Sequence, residues 1–90
     1  MRAPTVHLNG TSKEELYRQL GEAVSKSRDL LLALAQAVPS ARDYYVQGDR
    51  AHTEALQEHN RRMKRVEGVM QELSEMQEKV YEQGRPLKTT

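Results

Sequence analysis

The sequence predicts an all-α fold: an antiparallel two-helix hairpin with a short extended N-terminal arm, assembling into a homo-oligomeric helical bundle. Three observations carry this. Apolar residues recur every three or four positions over two long stretches, the signature of an amphipathic helix. A segment opening with Val38-Pro39 separates the stretches, because the residue before a proline is pushed out of the α region. Finally, 90 residues that are 37% apolar and lack Trp, Phe and Cys supply neither a thick core nor a disulfide, which leaves association between copies as the way to bury the apolar faces.

Residues 1–11 read as the arm. Thr5, Val6, His7 and Leu8 are extended in character and lead to the turn dipeptide Asn9-Gly10. Ser12 with Glu15, or Thr11 with Glu14, forms a capping box, so the first helix is expected over about residues 12–37. Its stripe is Leu16, Leu20, Ala23, Ser27, Leu31, Leu34 and Val38, widened by Val24, Leu30 and Ala37. Gly21 costs about 1 kcal/mol against alanine inside a helix, and close approach by another helix is the expected compensation.

The connection, residues 38–49, is longer than usual between bundle helices and holds Tyr44 and Tyr45, two of the four aromatic residues in the chain. Asp49 is the expected cap of the second helix, residues 50–83, which Gly84 and Pro86 end. The hairpin thus spans 12–84, with 85–90 as a flexible tail.

The second helix has the clearest pattern. Leu56, His59, Met63, Val66, Met70, Leu73, Gln77 and Val80 alternate at spacings of three and four, and Val69 and Met76 add a flanking column. A stripe this broad suits a bundle of more than two helices. At 1.5 Å per residue the second helix outreaches the first by roughly 12 Å, so part of its apolar surface is left for another subunit. The expected oligomer interface is therefore Leu56, His59, Met63, Val66, Val69, Met70, Leu73, Met76 and Val80.

Charge is nearly balanced at a formal +1, which disfavours nucleic acid as the dedicated partner. The second helix nevertheless begins basic, with Arg61, Arg62, Lys64 and Arg65, and ends acidic, with Glu67, Glu72, Glu75, Glu78 and Glu82. That grouping is either functional or a solvated face. Catalysis is not expected: no nucleophile with a base, no Gly-rich phosphate loop and no metal-ligand spacing is found, His52 and His59 being two turns apart. No cofactor or metal follows. His59 reads as a polar core residue that sets register. No stretch has signal-peptide or membrane-span character, which makes the cytoplasm the expected location.

Two segments are suited to an anionic ligand. His7, Asn9 and Thr11 precede one helix N-terminus, where free N–H groups favour an anion. Arg42, Tyr44 and Tyr45 precede the other and offer a phosphate fork and rings that stack on bases. Each segment also reads as ordinary turn or plug chemistry. An antiparallel dimer would join the arm of one copy to the loop of the other, with Arg62 or Arg65 reaching in.

The run His7-Leu8-Asn9-Gly10-Thr11-Ser12, followed by Pro39, Arg42-Asp43-Tyr44-Tyr45, Glu58-His59 and Arg62, resembles a family of small bacteriophage proteins over most of the chain. The architecture is also similar to that of phage anti-defence nucleotide sponges of the Acb and Tad type, whose motifs differ from these. The resemblance implies a non-enzymatic protein in the host-cell cytoplasm that sequesters a small nucleotide-derived signalling molecule between subunits. The alternative is a structural or adaptor protein that docks a host or virion protein on the exposed face of helix 2.

Overall fold

The structure is a computed structural model and describes residues 1–83. Two α-helices, α1 (Lys13–Gln36) and α2 (Ala51–Glu82), lie against each other as a helical hairpin, and no strand occurs among the described residues. The antiparallel register is visible in three cross-links. His52 bonds Pro39, His59 bonds Leu34 and Gln77 bonds Tyr17, so that advance along α2 is retreat along α1.

Local chemistry explains the helix ends. Ser12 caps α1, its hydroxyl accepting from the Glu15 N–H at 3.1 Å. The reciprocal half of the expected capping box is absent, because the Glu15 carboxylate turns to Arg18 at 2.6 Å and Gln19 at 3.0 Å instead. Those donors, Arg18 first, hold the Glu15 carboxyl down at about 2, and the same pairing raises the Arg18 guanidinium. The expected Asp49 cap of α2 is also corrected. Arg50 occupies the cap without a side-chain bond, and the chain enters α2 through Gly48, whose φ of 117° strains any side chain. Two single 3-10 turns, Ala41–Asp43 and Tyr45–Gln47, fill the connection. Gln83 leaves the helical conformation at the far end of α2, while Gly84, Pro86 and the tail at 85–90 lie outside the described residues.

The seam between the helices follows the spacing. On α1, Leu16, Leu20, Ala23, Ser27, Leu31 and Leu34 are half-buried and Val24 is buried. Val38, past the end of α1, stays 51% exposed, since no helical turn carries it inward. On α2 the residues of the heptad stripe are half-buried, and His59 and Val80 are buried. Gln77 crosses to the Tyr17 carbonyl over Gly21, where an added Cβ would stand 2.6 Å from the Gln77 amide nitrogen. The expected close approach at Gly21 is therefore made by a side chain.

Ahead of α1 the N-terminal residues are tied to the far end of the hairpin's second helix at Gln83. The Gln83 amide donates to the Pro4 carbonyl and accepts from the Val6 N–H, both at 2.8 Å. Val80, one turn before this clip, has no exposed surface. The radius of gyration is 19.6 Å, against roughly 12 Å for a compact chain of this length.

Candidate functional site

Two helices can bury one stripe each, and what lies beside the stripe stays open. Where Ser27 and Leu30 of α1 face Val66 and Val69 of α2, the two flanks meet in a shallow, largely apolar groove of about 240 Å³, edged by Arg62 and Arg65. Leu30 is 48% and Val69 51% exposed. The groove joins two sets of residues that the sequence assigns to different tasks: the arginines to a ligand, the valines to an interface.

The other expected ligand residues are not brought to it. His7 folds over Gly10 in a turn closed by the Gly10 N–H on the His7 carbonyl at 3.1 Å, and Asn9 and Thr11 are exposed beside it. Arg42 and Tyr45 are exposed in the connection, at the opposite end of an α1 that is about 36 Å long at 1.5 Å per residue. Tyr44 is half-buried, its ring 6.3 Å from that of His52. A groove of about 550 Å³ lies at the start of α2, but Gln47–Ala51 and Glu54 line it, and Arg42, Tyr44 and Tyr45 do not. One chain therefore holds the three groups in three separate places.

Within one chain the residues expected between subunits are already partly covered. His59 and Val80 belong to the hairpin's own interior, while Leu56, Met63, Val66, Met70, Leu73 and Met76 are half-buried. The reason is that α1 already occupies the face to which their spacing points. Val69 alone of the nine is exposed.

Both histidines of α2 act on the backbone. His59 Nε2 stands 2.8 Å from the Leu34 carbonyl and His52 Nε2 3.1 Å from that of Pro39. A carbonyl oxygen only accepts, so each ring donates through Nε2–H. Leu34 lies in the last turn of α1, where its carbonyl accepts a short-range bond from the Ala37 N–H, and His59 supplies a second donor in place of the absent i+4 N–H. The spacing of seven, which places both rings on one face of α2, was the signal for this shared task. Gln83 had no such signal.

Another groove, of about 460 Å³, runs between Tyr17 and Tyr81 past Gln71 and Glu75. The two rings sit 5.7 Å apart with the Lys13 ammonium 5.3 Å from the Tyr81 centroid, a packing cluster that closes this end of the hairpin. No group of three or more potential metal ligands occurs among the described residues, and no helix there is long and apolar enough to cross a membrane.

No family model matches this chain, and no curated protein or solved structure is significantly similar to it. The geometry alone carries the functional reading.

Proposed function

We propose that this chain is a non-enzymatic interaction module, a hairpin that docks a helical partner along the Leu30–Val69 side in a structural or adaptor role. The observation that carries the reading is the apolar groove between Leu30 and Val69, open to solvent and edged by two arginines. Its setting supports the same conclusion. The chain exposes 7170 Å², whereas a compact protein of its mass exposes roughly 5,400 Å².

Apolar walls contribute most of the affinity in such a contact, and flanking cations select partners with acidic flanks. Capture of a small anionic ligand, the reading suggested by Arg42, Tyr44 and Tyr45, requires groups from two copies, because one copy keeps them apart from His7, Asn9 and Thr11. It is secondary to association.

A photo-crosslinking side chain at position 69 tests the proposal, with position 71 as control because it lies about 200° around the helix at 3.6 residues per turn. Discrete protein adducts from position 69 and few from 71 are expected in cells producing the protein. Equal yields at both positions, or none at 69, overturn it.

A further inference from the structure

The groove identifies a recognition side of the hairpin, and the charges next to it identify what fits there. In α2, Arg61, Arg62, Lys64 and Arg65 make a block of four positive charges with no carboxylate inside it. From Glu67 to Glu82 there are five carboxylates and one lysine. Within each block like charges are neighbours on the helix surface: Arg61 and Arg62 both face Arg65, Glu72 faces Glu75, and Glu75 faces Glu78, all at spacings of three or four. Such pairs repel. Among the described residues no ion pair relieves them, the ion pair present there being Arg18–Glu15 on α1. All of these α2 side chains are exposed.

Gly68 sits between the two blocks, in the middle of a helix that it weakens. Unlike Gly21 it has no intrachain reason to be small, because an added Cβ would meet nothing within 4 Å. Arg61, Arg65, Gly68, Glu72, Glu75 and Lys79 recur at four and three residues, which aligns them in one stripe beside Val69. The stripe is thus basic, then bare at Gly68, then acidic at Glu72 and Glu75 before it ends on Lys79.

We propose that the partner seated on this side is a second copy of the chain, its α2 running antiparallel to the first about a two-fold axis beside Gly68. This rests on the interaction reading above and names its partner. The axis sets Arg65 of each copy level with Glu72 of the other, Arg62 with Glu75 and Glu58 with Lys79, so each repelling block meets its opposite. A parallel pair would stack like on like. The bare backbone at Gly68 lets the helices approach closely, and Val69 and Leu30 lose water from both sides of the axis. The surface in excess of a compact chain is ample for the roughly 800 Å² that each partner gives to a standard interface. The same axis carries the Pro4–Val6 segment, clipped at Gln83, to the level of Glu54 near the connection of the other copy.

Sedimentation of the full chain, of Arg62→Glu/Arg65→Glu and of Glu72→Arg/Glu75→Arg tests this, with helicity by circular dichroism confirming that each variant folds. The wild type is expected to dimerise at micromolar concentration, more weakly as salt is raised. Each variant sets like charges opposite each other at the two paired levels, 65 with 72 and 62 with 75, and self-association should fall by roughly tenfold or more through like-charge juxtaposition. An equimolar mixture of the two variants should form a 1:1 heterodimer, because positions 62, 65, 72 and 75 are then acidic in one chain and basic in the other. A wild type that stays single, variants that dimerise unchanged, or a mixture that fails to pair overturns the antiparallel dimer. If the chain stays single while position 69 still yields adducts with another protein, self-pairing falls and the interaction reading stands. If it stays single with no adduct, both fall.

Discussion

His59 shows what one side chain contributes to a hairpin with few buried residues. It is 3% exposed, and its ring ties the middle of α2 to the Leu34 carbonyl at the end of α1. A buried ring nitrogen without a partner would be costly, but no buried side-chain nitrogen or oxygen among the described residues lacks one. Replacement by leucine keeps apolar bulk and removes the donor. Because the Leu34 carbonyl also accepts from the Ala37 N–H, it is not left wholly unpaired, and the expected loss is about 1–2 kcal/mol in urea unfolding. An unchanged midpoint would show that the bond contributes nothing. The sequence marks His59 as a polar interruption of an apolar stripe and hence as a register residue. Which carbonyl it meets depends on how α1 and α2 align.

At the scale of the element, the two mid-helix glycines Gly21 and Gly68 are equivalent in propensity and opposite in context. Gly21 lies beneath the Gln77 amide, and a methyl group there displaces the side chain that bonds the Tyr17 carbonyl. Around Gly68 there is open space. Measured at dilutions where the chain is single, Gly68→Ala should raise hairpin stability by about 1 kcal/mol, the usual helix-propensity difference. Gly21→Ala should gain less than this or lose stability. Thermal unfolding of the two variants side by side checks the contrast, and equal gains would refute the close packing at Gly21. Both glycines are visible in the sequence, but the distinction between them is not, since it depends on what crosses from the other helix.

The whole molecule is a rod with principal extents of 67 × 21 × 20 Å. Antiparallel pairing about Gly68, close to the middle of α2, overlaps the two rods almost completely. Solution scattering of the dimer should therefore show a longest dimension close to the 67 Å of one chain and a doubled cross-section. End-to-end association would roughly double the length instead. Two apolar stripes of unequal length already require the rod, as helices of 24 and 32 residues must run alongside each other.

The sequence by itself determined that there are two helices, that Ser12 begins the first, that Pro39 follows its end and that the stripes at three- and four-residue spacing face each other. These are local properties, set by backbone preference and by periodicity within one segment. Only the tertiary structure decided that α1 covers most of the residues expected between subunits, that Gln83 ties down the N-terminal residues, and that Arg62, Arg65, Val66 and Val69 share a groove with Leu30. The physical reason is that spacing along a helix specifies an angle around its own axis and leaves open how much of that angle a neighbour covers. That depends on the width, offset and ends of the second helix, and on hydrogen bonds between residues more than twenty positions apart.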